Sequence, residues 1–274
     1  MTHRRPLEIR AQQYIDAFIH NFSRVLNLFS ISHKYHFESL ETWAKEVLYY
    51  HCWCINTDGK NAVLDSPRVC DRDLELMLRV STRTDCYALS GAAEDALMNR
   101  LNGRFDRDFF IRNLALAEEL GMRKFQGRLY YSELVRQESL QTGNQLSTTS
   151  IYNDLLEKQS FALFRGYWSL TCYWKSLPSL VRNKPLPSIV ACAAHGRCQT
   201  LWNDRWTADN LRLNVDPSLF PLEKLEKIRP LLNFPGDVSI VSGAKIQPCG
   251  LRELDEITKQ LQDTLADHFL GPGR

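Results

Sequence analysis

The sequence predicts an all-α fold: stacked helix pairs, then a second helical module, with room for one small hairpin. Three observations predict it. An apolar pattern recurs in residues 25–48, 74–97 and 110–134, each copy running a helical stripe, a polar pair, a short turn and a second stripe. Long amphipathic stripes follow, through Leu163, Leu170 and Leu177 and again through Leu254, Leu261 and Phe269. Turn-forming residues punctuate these stripes at helix-length intervals, as expected of helices joined by short connections.

The repeat is read by superposition. Shifting the first copy by 49 residues lays Phe29, Ile31, Phe37, Leu40, Ala44 and Leu48 over Leu78, Val80, Cys86, Leu89, Ala93 and Leu97. Shifting it by 85 lays Leu26, Ile31, Tyr35, Phe37 and Leu40 over Ile111, Leu116, Leu120, Met122 and Phe125. A single helix pair cannot bury its apolar face alone, so repeated pairs stack to share a core. Leu40, Ala44, Leu89, Ala93 and Phe125 are the positions expected to be buried where the pairs meet.

The elements follow in order. A leader helix is expected from about Pro6 to Phe29, with Ile9, Tyr14, Phe18 and Phe22 near one face. Ser39 is placed to cap the helix carrying Trp43 and Val47. The run 56–61 is a turn-rich break, after which Asp71 or Asp73 caps the next helix. Asn102-Gly103 ends the fourth helix, and Asp106 or Asp108 opens the fifth. The polar stretch 137–150 is the expected boundary between a repeated helix-pair module, 1–136, and a C-terminal helical module rich in Trp and Cys, 150–274. A long helix should start near Thr149 or Ser150, carry Tyr152, Leu155, Leu156, Leu163, Tyr167, Leu170, Trp174 and Leu177, and stop at Pro178. Asp216-Pro217 has the form of a helix opening. Pro221 and Pro230 should keep the next region short. Residues 238–246 suit a small hairpin, and the last helix should run from about Gly250 to Leu270 and stop at Gly271.

Composition bounds the function. A chain of 274 residues with 44% hydrophobic content can bury a sizeable core. Its formal net charge of +2 gives no general drive toward nucleic acid or anionic lipid. No apolar run approaches the ~20 residues that span a bilayer. With no signal-type apolar segment near the start, the eight cysteines read as reduced thiols of an intracellular protein, cytoplasmic or nuclear.

Several stretches resemble a known family. Residues 25–28 and 37–44 (Phe-Glu-Ser-Leu-Glu-Thr-Trp-Ala), with 116–125, resemble the helical region that follows the BTB/POZ domain in proteins of mushroom-forming fungi. So do residues 166–170 with Trp174, the segment from Cys192 to Cys198 with Trp202 and Trp206, and the end at 265–271. The BTB/POZ domain itself is not found in the sequence. The resemblance implies oligomerisation and adaptor work for cullin-type ubiquitin ligases, functions tied in the family to that missing domain.

The sharpest candidate for chemistry is Cys192-Ala-Ala-His195-Gly-Arg-Cys198. Thiolate and imidazole are zinc ligands, and a structural zinc needs four of them, the fourth here being Cys249 or Cys172. Against this, both thiols can be buried apolar groups, because free cysteine is among the most buried residue types. No CxxC pair supports zinc, so no cofactor is assigned beyond this possible structural ion. The run 51–54 (His-Cys-Trp-Cys) is a second, weaker cluster. Adjacent acidic pairs Glu118-Glu119 and Asp255-Glu256 point apart on a helix and read as solvated faces. His33, His36 and His268 lack a recognisable nucleophile beside them, and no phosphate-binding loop, nucleophile elbow or HExxH is present. The expectation is therefore a non-enzyme.

Trp168, Trp174, Trp202 and Trp206 are the candidate interaction anchors. Core packing is their competing role, since each ring buries a large apolar area. Cations near them, Lys184, Arg197, Arg205 and Arg212, resemble the mix used on single-stranded nucleic acid, but Asp204, Asp209 and Asp216 dilute the charge. The sequence thus predicts an intracellular interaction module or scaffold. Its expected partner is another protein, self-association is an option, and neither membrane nor nucleic acid is favoured. The alternative is a regulatory nucleic-acid-binding protein with a structural zinc site.

Overall fold

The computed structural model describes residues 6–52, 63–103, 106–142, 154–182, 184–187, 195–216, 220–232, 240–241, 244–245 and 249–273. The fold is all-α, with one minimal hairpin. The helices are α1 Pro6–Lys34, α2 Glu38–Cys52, α3 Asp71–Arg83, α4 Tyr87–Gly103, α5 Arg107–Glu119, α6 Arg123–Thr142, α7 Glu157–Arg182, α8 His195–Arg205, α9 Ala208–Asn214, α10 Pro221–Ile228 and α11 Cys249–Leu270. A 3-10 turn, Arg229–Leu232, follows α10. The hairpin pairs β1 Ile240–Val241 with β2 Ala244–Lys245 antiparallel. Contacts divide the chain into two compact units, Met1–Met122 and Arg123–Arg274.

The repeat is real at the level of the backbone. α1, α3 and α5 end at Lys34, Arg83 and Glu119, and α2, α4 and α6 begin at Glu38, Tyr87 and Arg123, so both sets keep the offsets of 49 and 85. One left-handed residue sits in each connection at the same offsets: His36 at φ 59°, Asp85 at 51° and Gly121 at 67°. Around it the hydrogen bonds coincide. The N–H groups of Phe37, Cys86 and Met122 donate to the carbonyls of Ser32, Ser81 and Ala117 at 2.8, 2.8 and 2.9 Å. Those of His36, Asp85 and Gly121 donate to His33, Thr82 and Glu118. This is the Schellman closure, in which a left-handed residue turns the chain back to satisfy the helix's last carbonyls. His and Asp tolerate that conformation better than most side chains, and Gly adopts it freely.

In the first unit α1 packs on α2, α3 on α4, and the second pair lies against the first through α1 with α3 and α2 with α4. Val25, Leu74 and Phe110 occupy one equivalent position in the three copies and are all buried, as are Phe29, Leu78 and Leu114. Ion pairs brace the outside. Arg100 donates to Asp71 at 2.5 Å and to the carbonyls of Leu64 and Val69, and Arg79 pairs with Glu119. That guanidinium holds the Glu119 carboxyl below its ordinary range.

Local expectations need several corrections. Ser39 does not cap α2, because the Leu40 and Glu41 N–H groups already donate to the Phe37 carbonyl, which puts Ser39 inside the first turn. Asp73 acts from the third helical position, accepting from the Cys70 N–H at 3.3 Å, while Asp106 caps α5 directly by accepting from Phe109 N–H at 3.1 Å. The polar stretch does not end the first module at residue 136. α6 continues to Thr142 and belongs to the second unit, whose first residue is Arg123. Glu133, Arg136 and Gln137, joined by hydrogen bonds of 2.6–2.8 Å, carry the helix into that stretch. Residues 56–61, Tyr152, Pro217 and the side chains of Ile9 and Tyr14 lie outside the described residues.

The second unit is organised around α11, which packs on α6, α7, α8, α10 and the 3-10 turn. Its predicted stripe, Leu251, Leu254, Ile257, Leu261, Leu265 and Phe269, is buried throughout, and Gly271 ends it at φ 82°. Two glycines permit the close crossings. A Cβ at Gly127 of α6 would lie 2.7 Å from the Ala266 Cα, and one at Gly166 of α7 would lie 2.0 Å from the Phe269 ring. Pro178 does not end α7. The helix runs through it to Arg182, although proline removes one helical hydrogen bond. Leu177 and Val181 stay buried on the same face as Leu163 and Leu170, and that packing outweighs the local penalty.

Candidate functional site

The residues singled out from the sequence fall into two environments. The first is the apolar junction where α8 meets α7 and α11. Trp202 and Trp206, offered as interaction anchors, are fully buried there and are core residues. The Trp202 Nε1–H donates to the Val181 carbonyl at 3.1 Å, and the two rings meet edge-on at 5.5 Å. Trp174 is half-buried, with its ring 6.3 Å from that of Trp206 and the Lys224 Nζ 5.2 Å above it. Burial pushes the Lys224 ammonium below its ordinary range.

His195 opens α8, and its Nδ1 lies 3.6 Å from the Cys249 Sγ at the start of α11. Cys198 is buried one turn further on. Cys192 lies outside the described residues, and Cys172, the other proposed fourth ligand, is exposed on α7. Zinc would need three or four donors converging. Among the described residues no group of three does so, and what is placed together is the His195–Cys249 pair.

Two residues of the weaker cluster are described, and both pack against the fold. The His51 ring stacks on Phe18 at 3.9 Å, burial lowers its pKa, and Cys52 lies in the core, while Trp53 and Cys54 lie outside the described residues. His33 pairs with Glu41 at 3.0 Å. Asp255 pairs with Arg229 at 2.6 Å. His268 does meet a hydroxyl, the Ser169 Oγ at 2.8 Å, and an edge of Tyr173. Burial keeps this imidazole below its ordinary pKa. The contact ties α11 to α7.

Sequence reading missed a buried polar lock. Tyr131 of α6 donates its hydroxyl to Glu223 of α10 at 2.6 Å and accepts from the Leu222 N–H at 3.0 Å. Burial raises the pKa of both groups, while the Tyr131 hydrogen bond holds the Glu223 carboxyl partway down. A carboxylate whose folded pKa lies above its unfolded one costs stability that builds as pH rises from the unfolded value to the folded one, and the cost is absent below the unfolded value. Tyr131→Phe should therefore cost about 1–3 kcal/mol near neutrality, because it strands a carboxylate and an N–H. The loss should shrink as pH falls through the carboxylate range. Urea unfolding across that range checks this, and a loss independent of pH would mean that Tyr131 acts by packing alone.

The second environment is exposed and apolar. At the α1–α2 corner Ile31, Tyr35, Phe37, Leu40 and Trp43 all face outward. This corrects the burial expected of Leu40 and the core role implied for Ile31 and Phe37. Leu40 is 37% exposed, whereas its equivalents Leu89 and Phe125 are 2% and 0%. Ala44, Ala93 and Phe125 are buried as expected. On α7, Phe161, Phe164 and Trp168 are 66%, 68% and 63% exposed. Of the four candidate anchors, Trp168 alone has a largely exposed ring. No described helix is long and apolar enough to cross a membrane.

Comparison with protein-family models, curated proteins and solved structures returned no match.

Proposed function

We propose that the chain is a non-enzymatic protein-interaction module that docks a helical partner on the open end of its helix-pair stack. One observation carries this. Ile31, Phe37 and Leu40 are exposed, while Val80, Cys86 and Leu89, which stand in their places in the second copy, are buried. The second pair packs against the first through α1 with α3 and α2 with α4, so these exposed positions lie on the pair at one end of the described stack. Stacked-helix proteins ordinarily close such an end with a polar face. Here the end is apolar, with Tyr35 and Trp43 added, and aromatic rings are the usual anchors of binding energy. The shape that fits it is another helix pair or an amphipathic helix.

The resemblance to the helical region after BTB/POZ domains agrees with a scaffold role and suggests a ubiquitin-ligase subunit as partner. The test is capture from cells that express the protein, using the unsubstituted chain beside Phe37→Asp and Trp43→Asp. Each variant must keep its helical circular dichroism. A captured protein that also binds when purified, and is lost from both variants, supports the proposal. An unchanged set of captured proteins overturns it, and nucleic acid in the eluate would favour a regulatory nucleic-acid-binding role.

A further inference from the structure

We infer that two copies of this chain associate through α7, laid antiparallel along its exposed aromatic stripe. The surface is separate from the open end of the first unit, and the inference does not depend on that reading.

α7 is apolar on two opposite sides. Leu163, Gly166, Leu170, Leu177 and Val181 are buried on one side, towards the rest of the second unit. Phe161, Phe164 and Trp168 recur at intervals of three and four residues on the other, so they form one stripe along the helix. A helix apolar on two sides is ordinarily covered on both.

The charges at the ends of the stripe name the occupant. Glu157 stands in the first turn and Lys175 eighteen residues on, which is five turns at 3.6 residues per turn and about 27 Å of helix. Both therefore project on the same side as the rings. Neither has an ion-pair partner among the described residues. The midpoint between them is Gly166, which is also the midpoint between Phe164 and Trp168. A second copy related by a two-fold axis at Gly166 would set Glu157 against Lys175 at both ends and Phe164 against Trp168 at the centre. A two-fold interface demands such self-complementarity. The helix dipoles would also oppose each other favourably. Arg165, which would otherwise meet its own copy near the axis, is turned aside, with its guanidinium against Gly271. Three rings of roughly 150–250 Å² each, about two-thirds exposed, supply about half of the roughly 800 Å² that each partner buries in a standard interface.

Sedimentation equilibrium of the full chain tests this. The expected mass is twice 31.7 kDa, with Phe164→Asp plus Trp168→Asp reduced to the single-chain value. Charge exchange supplies the sharper arm. Glu157→Lys alone and Lys175→Glu alone should each weaken pairing about tenfold, because each places like charges at both ends. Mixing the two single variants should restore it, since each copy then faces an opposite charge at both ends. Helical circular dichroism monitors folding, and if the double aspartate variant fails to fold, the exchange variants still decide. An unsubstituted chain that stays monomeric overturns the inference, as does a dimer that survives the aspartates or a mixture that does not recover. Phe37→Asp should leave the mass unchanged. A dimer lost in that variant would place self-association at the open end instead and overturn α7 pairing, whereas failure of α7 pairing leaves the capture experiment untouched.

Discussion

Replacing Trp202 by alanine is expected to destabilise the second unit by about 3–5 kcal/mol, the range for truncating a large buried aromatic. The ring is fully enclosed, meets Trp206 edge-on, and would lie 3.3 Å from a Cβ at Gly250, so no side chain can move in cheaply to fill its space. Its Nε1–H also donates to the Val181 carbonyl near the end of α7, a region where carbonyls lack intrahelical partners. Trp202→Phe keeps most of the apolar area and should cost less, with about 1 kcal/mol attributable to the lost hydrogen bond. Trp168→Ala, on the exposed side of α7, should change stability by no more than about 0.5 kcal/mol when measured at a concentration too low for two copies to pair. Urea unfolding followed by circular dichroism ranks the three. Equal losses at 168 and 202 would contradict the burial that separates them.

That contrast marks what the sequence could reveal. Four tryptophans in a polar-flanked helical region carry the same chemistry whether they fill a core or anchor a partner. Spacing places Trp202 and Trp206 on one helical face, but it does not say whether that face is covered. Coverage is decided by α11, which begins almost fifty residues later in the chain. The Tyr131–Glu223 lock was hidden for the same reason: its partners lie 92 positions apart, and neither sits in a motif.

The helices themselves were more legible. Periodicity located α11 almost to the residue, because Gly271 supplies an unambiguous stop. It failed at Pro178, where a strong local signal lost to tertiary packing, and at Ser39, where the preceding carbonyl had already satisfied the first turn. The repeat was visible through its apolar positions, while its most regular feature was not. His36, Asp85 and Gly121 share a backbone conformation and hydrogen-bond pattern but no side-chain chemistry, so alignment of residue types passes over them.

The repeat also sets a prediction in which two equivalent leucines behave oppositely. Leu89→Ala should destabilise the first unit by about 2–5 kcal/mol, because a fully buried leucine leaves a cavity that its neighbours fill only in part. Leu40→Ala, at the same place in the preceding copy, should cost under about 1 kcal/mol, because water already reaches that side chain. In a regular stack with both ends covered the two would cost the same, so the difference measures how open the first pair is. Adding a saturating partner should then move the Leu40 variant towards Leu89. Its unfolding midpoint should lag the unsubstituted chain more with partner present than without, since a ligand that binds the folded state stabilises in proportion to its affinity. Paired urea titrations of the two variants, with and without the captured protein, provide the measurement. If Leu40→Ala alone already costs as much as Leu89→Ala, the corner is covered within the chain itself and cannot be the docking face.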